Sequence, residues 1–150
     1  MPLLGRKKVD KAIVKTYQKK NNQIRAVFFQ TFTEVVIKTP VDSGRARGNW
    51  FLSVSTPSNS VSTSENSSSS LREVSSIPKS VFNKRIFLTN NLPYVGTLEY
   101  GGFPSPVKLG TKNKRTGKFE IRSISGFSKQ RPSGWVRKAL VKAQNKIRKL

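Results

Sequence analysis

Six cations, Lys108, Lys112, Lys114, Arg115, Lys118 and Arg122, lie in one short stretch that is interleaved with glycine and has few hydrophobic neighbours. Side chains of this type in this setting can reach phosphate oxygens without disturbing a core. Such a loop would hold a nucleic acid by its backbone, without reading sequence. A solvated charged loop is the plain alternative. Against it stands the charge balance: residues 101–150 carry fourteen Lys and Arg and one acid, Glu120, and the 150-residue chain carries 29 basic and seven acidic side chains, a formal charge of +22. Such an excess repels itself and persists where a polyanion or an assembly neutralises it. No helix-turn-helix, zinc-knuckle or RNA-recognition signature is present, so readout of specific bases is not expected.

Other chemistry has few side chains to work with. The chain has no Cys and no His, which excludes disulfides, zinc fingers, imidazole acid/base catalysis and thiolate nucleophiles. The seven acids are scattered, with no D-x-D or E-x-K spacing that would gather a metal or a catalytic pair. The expectation is a protein that is not an enzyme and has no cofactor and no metal site. Asp42, followed by Ser43 and Gly44, suits an N-cap or Asx turn after Pro40. Glu99 is one of the rare acids and is expected to pair with Arg45 or Arg47 in a structural ion pair, with an intersubunit contact as the other reading. Trp50, Tyr94, Tyr100 and Trp135 are expected in the core or at a subunit interface, with base stacking as the alternative.

The elements that must position these residues can be read from periodicity. Apolar residues from Val9 to Val36 recur three or four apart, predicting a helix over about 9–38 that Pro40 closes. Its Lys-rich first half is expected to project and its second half to dock on the core. Strands are expected near 49–54 and 85–89. Between Ser53 and Ser80, thirteen of 28 residues are Ser, and this composition predicts a flexible insertion with no core of its own, dispensable for folding. Tyr94, Leu98 and Gly101 share a helical face and predict a turn or two of helix. Residues 103–132 read as a basic loop or hairpin with a strand-like stretch over 118–124. A final helix opens after Pro132-Ser133-Gly134, with Val136, Leu140, Ala143 and Ile147 as its apolar stripe. The fold class is α+β in one domain: one antiparallel sheet packed on the long N-terminal helix and on the C-terminal helix. With no apolar run of roughly 18 residues and charges near its start, the chain reads as soluble, with no membrane partner and no Sec-type leader.

Three segments carry a resemblance. Thr39-Pro40-Val41-Asp42-Ser43-Gly44-Arg45-Ala46-Arg47-Gly48-Asn49-Trp50, then Asn91-Leu92-Pro93-Tyr94-Val95-Gly96-Thr97-Leu98-Glu99-Tyr100-Gly101, then Gly134-Trp135-Val136-Arg137-Lys138-Ala139-Leu140 resemble, in order and approximate spacing, the tail completion and minor tail component family of long-tailed bacteriophages. Ala46 stands where the family usually has Leu, Val95 where it has Ala, and the Ser-rich insertion is extra. The resemblance implies a structural virion protein of the head–tail junction, found in the tail or neck and in host cytoplasm during assembly. It further implies a ring of identical subunits, hexameric by expectation and twelvefold as the alternative, around the DNA channel. The implied partners are the head connector or stopper, the tail terminator or tail tube protein, the tape-measure protein, and double-stranded DNA without sequence specificity. A free-standing basic nucleic-acid-binding protein is the alternative reading.

Overall fold

The computed structural model describes residues 4–103, 110–113, 116–130 and 133–150. The chain is α+β. Helix α1 (Leu4–Lys38) is followed by a 3₁₀ turn (Arg47–Asn49), β1 (Phe51–Val54), α2 (Ser67–Ser75), β2 (Ile86–Thr89) and α3 (Val95–Tyr100). After these come the short strands β3 (Thr111–Lys112), β4 (Phe119–Glu120), β5 (Ser123–Ile124) and β6 (Phe127–Ser128), and then α4 (Trp135–Arg148).

Among the described residues the expected single sheet is replaced by three antiparallel pairs, β1–β2, β3–β4 and β5–β6. Only β1–β2 builds on the core, with Leu52 opposite Leu88 and Val54 opposite Ile86. The other two pairs are of two-residue strands. Gly110, Gly117 and Gly126 take positive φ there, and so many left-handed residues turn the chain back before a longer ladder can form.

The core lies where α1, α2, α4 and the β1–β2 ribbon meet, and is built from Val35, Val36, Trp50, Val74, Ile77, Val81, Trp135 and Ala139. Helix α1 is longer than its apolar periodicity predicts. Its residues 5–19 are all exposed, whereas Asn21, Val27, Thr31, Val35 and Val36 are buried, so the first half does project and the second half docks. Asn21 fixes the junction between the halves. Its side-chain amide donates to Lys79 O at 2.7 Å and accepts from Val81 N at 2.9 Å, pairing with the backbone as another peptide would.

The Ser-rich insertion is the largest departure from the sequence reading. Residues 67–75 form α2, capped by the Asn66 side chain, which accepts from Ser68 N at 2.9 Å. Leu71, Val74 and Ile77, spaced by three, meet the core, and Val74 is completely buried. The serines themselves close backbone groups: Ser70 Oγ accepts from Trp50 N at 2.9 Å, and one turn later Glu73 accepts from Leu52 N at 3.4 Å. Those two N–H groups lie on the side of β1 away from β2, so α2 seals the strand edge that the ribbon leaves open. The segment before α2 is also packed: Ser62 N donates to Asn49 Oδ1 at 2.6 Å. A Cβ on Gly44, whose φ is +102°, would come within 2.2 Å of Glu65 O. The expectation of a 53–80 segment with no core of its own is therefore corrected, because three apolar residues at helical spacing outweigh the serines around them.

The apolar stripe of α4 is corrected too. Its buried residues are Trp135, Ala139 and Ala143, while Leu140 is 48% exposed. Trp135 sets the rotation by donating from Nε1 to Val35 O at 3.2 Å, and the two alanines below it allow a close approach to α1.

Candidate nucleic-acid interface

The first and third resemblance-bearing segments meet the end of α1, where Trp135 bonds Val35 O, and the second is tied to the third through Glu99. Thr39 Oγ1 donates to Val35 O and accepts from Trp50 Nε1, each at 2.8 Å, and Arg47 Nη2 donates to Thr39 O at 2.9 Å. Asn90, one residue before the second segment, donates to Ala46 O at 2.7 Å. Glu99 joins the second segment to the third. Its carboxylate is 5% exposed and accepts from the backbone N–H groups of Val136 (3.0 Å) and Arg137 (3.1 Å) and from Arg137 Nε (3.1 Å). Helix α4 begins after Gly134, which offers no side-chain cap. Glu99 therefore supplies from a distance the negative charge and the acceptors that a helix N-terminus requires. The expected pairing of Glu99 with Arg45 or Arg47 is corrected: the N-terminus of α4 presents two orphan N–H groups as well as a guanidinium, which is a better partner than one arginine alone.

The other expected site residues separate into two sets. Trp50 and Trp135 are buried core residues, whereas Tyr94 and Tyr100 are 40% and 65% exposed. Tyr100 is covered on one face by the Arg137 guanidinium, 4.7 Å from the ring centre. Partial burial raises the Tyr94 hydroxyl pKa above its ordinary value, opposed by the Arg45 charge. Asp42 does not cap its own turn; Ser43 Oγ takes that role by accepting from Arg45 N at 3.3 Å, and Asp42 forms an ion pair with Arg122. Arg45 is exposed. Gly101 ends α3 at φ +84°, where a Cβ would strike the Phe127 ring at 2.5 Å.

Of the six loop cations, Lys108, Lys114 and Arg115 lie outside the described residues. Lys112 and Lys118 are exposed, and Arg122 is half-buried and engaged by Asp42. Arg122 thus anchors the β4–β5 region to the turn after α1 and does not extend freely toward a phosphate. Charge is also spread along α4. Lys142 reaches Glu34 at 2.9 Å and Lys146 reaches Gln30 at 2.9 Å, tying α4 to α1, while Arg137, Lys138, Arg148 and Lys149 are exposed. Hydrogen bonds from Lys38 and then from Lys142 lower the Glu34 pKa.

Several residues that organise this region escaped the sequence reading: Asn21, Ser70, Glu73 and Asn90. Each works through a backbone group remote in sequence, which composition and periodicity do not report. Among the described residues no group of three or more His, Cys, Asp or Glu could hold a metal, and no helix is long and apolar enough to cross a membrane. An open depression of about 380 Å³ between α1 and the 79–80 segment is lined by Tyr17, Gln18, Asn21, Asn22, Lys79 and Ser80. That lining contains no nucleophile paired with a base. Comparison of the chain with family models, with curated proteins and with solved structures found no match.

Proposed function

We propose that this chain is a structural protein of a phage head–tail junction, a tail-completion subunit that assembles as a ring around duplex DNA and joins the head connector to the tail. The observation that supports this most is the convergence of the three resembling segments. They lie far apart in sequence, yet Glu99 of the second pairs with Arg137 of the third, Asn90 immediately before the second bonds Ala46 of the first, and the first is closed on itself by Thr39–Trp50. Local coincidences of sequence have no reason to become mutual partners; parts of one scaffold do. The buried frame leaves Lys112, Lys118 and the α4 cations Lys138, Arg148 and Lys149 on the outside, as backbone-directed DNA contact requires. The free-standing nucleic-acid binder accounts for the charge but leaves the frame unexplained.

Electron cryomicroscopy of the particle that carries this chain tests the reading. The expected result is several copies in a closed ring at the neck, in contact with the connector above and the tail proteins below. Absence of the chain from the virion, or one copy per particle, refutes it.

A further inference from the structure

The projecting half of α1 carries a second charged surface, distinct from the loop. Lys7, Lys11, Lys15 and Lys19 are spaced by four. On an α-helix this spacing advances about 6 Å and turns only about 40° per step, so the four form one slowly winding row about 18 Å long. Lys8 falls on the same face. All five are exposed, and none has an ion pair or side-chain hydrogen bond with a described residue. The row opposes its own helix: like charges four apart are unfavourable. The first turn, which favours acids, holds none and is followed by Lys7 and Lys8.

We propose that this lysine row is a binding rail for the phosphate backbone of duplex nucleic acid. The inference deepens the ring reading by assigning the DNA contact to α1, and needs only that the chain meets a duplex. Three observations point to this ligand. The first is charge density: about 18 Å of duplex presents roughly ten phosphates, enough to engage every lysine of the row. The second is access. The same face continues past the body through exposed Asn22, Ala26, Phe29 and Ile37, so a rod can lie along it unobstructed. The third separates a duplex from an anionic bilayer. A bilayer would take up the opposite face, Val9, Ile13 and Tyr17, but that face runs directly into the body. Half-exposed Tyr17 already packs on the Phe82 ring, tilted by 38° with centroids 4.5 Å apart, and the line continues into Ile24, Phe28 and Val35 against the core.

The test uses the full chain and a 30-base-pair duplex of mixed sequence, with affinity measured from 50 to 300 mM salt. Three variants are compared: Lys7→Gln/Lys11→Gln/Lys15→Gln/Lys19→Gln; the same four positions as Arg; and Lys112→Gln/Lys118→Gln in the loop. With a slope of about −0.9 per phosphate contact, the Gln variant is expected to lose about 3 to 4 from the slope of log K against log salt, and at least about a hundredfold in affinity at 0.1 M salt. The Arg variant is expected to keep both. Duplex binding is also expected to raise the helical circular dichroism signal of the parent and not that of the Gln variant. Circular dichroism of the free variants verifies that the body is folded. A Gln variant with an unchanged slope overturns the rail while leaving the ring reading intact, and a slope lost only in the loop variant does the same. Failure of the parent to bind duplex overturns the rail together with the DNA contact of the ring. Tighter, lysine-row-dependent binding to phosphatidylserine vesicles than to duplex overturns the choice of ligand.

Discussion

Replacing Val74 by Ala decides whether the serine-rich segment belongs to the core. Val74 is completely buried and packs with Ile77, Val81 and Trp50 in the central cluster. The substitution removes two methyl groups, about 1.6 kcal/mol of transfer free energy at roughly 0.8 kcal/mol per carbon, and leaves a small cavity that raises the expected loss to about 2–3 kcal/mol. For a chain of this size the loss corresponds to a fall in Tm of about 4–12 °C. Urea unfolding followed by tryptophan emission is the suitable assay, because Trp50 and Trp135 are both buried and report on the same core. Ser60→Ala, at an exposed position in the same segment, provides the control and should stay within about 0.5 kcal/mol. If Val74→Ala costs no more than that control, α2 is not part of the folded body and composition alone described 53–80 correctly. Deleting residues 56–75 should likewise give an unfolded protein, the reverse of what serine content suggests.

Two further outcomes follow from the ion pairs. Glu99→Ala strands two N–H groups and the Arg137 guanidinium at the start of α4, and should destabilise by roughly 2–4 kcal/mol; Glu99→Gln should cost less because one carboxamide oxygen still accepts. Equal and negligible losses in chemical denaturation for both variants would remove Glu99 from its capping role. The Glu34 carboxyl titrates below its ordinary value of 4.5, chiefly through hydrogen bonds from Lys38 and Lys142. A carboxyl depressed by folding stabilises the protein above the unfolded-state pKa and loses that contribution as pH falls through the folded one. The difference between the parent and Glu34→Gln should therefore be under about 1 kcal/mol near pH 6, because the pair is partly solvated, and should disappear as pH drops well below 4.5. A difference that grows on acidification contradicts the assignment.

The sequence made the long elements legible and the tertiary hydrogen bonds opaque. Helix α1, the two strands β1 and β2 and helix α4 follow from periodicity and β-branched or aromatic enrichment, because each element buries one face. The rotation of α4 was misread because Leu140 looks like a better core residue than Ala139. In the fold, space beside α1 is what matters, and alanine permits the approach that leucine would block. Helix α2 was hidden for a related reason: Leu71, Val74 and Ile77 carry the helical spacing, but serine on every side lowers the apparent hydrophobicity of the window. Asn66 before Ser67 was the available signal, a capping residue directly ahead of the helix. The rarity of acids points to Glu99, but not to its partner. The N-terminus of α4 attracts it through backbone groups that are identical in every sequence.

The placement of the acids bears on how copies of this chain could assemble. Glu34 is held by Lys38 and Lys142, Asp42 by Arg122, and Glu99 by Arg137. Glu73 accepts from Leu52 N, and Glu120 from Asn113 and Thr116. Only Asp10 and Glu65, among the described residues, remain outside such contacts. One subunit therefore presents to the cations of the next only two acids, Asp10 and Glu65, not already engaged within the described residues. Bringing copies together concentrates a charge of +22 per chain, and a ring closes only where apolar contact or a bound polyanion offsets that repulsion. DNA threaded through the ring would supply the missing charge along its axis, so ring closure and duplex binding should be coupled, each strengthening the other by the same factor. On this argument the dilute protein at low salt is expected to be monomeric by analytical ultracentrifugation and to oligomerise when duplex is added. Oligomerisation that is strongest at low salt without duplex would mean that the subunits recognise one another through charges arranged differently from those described here.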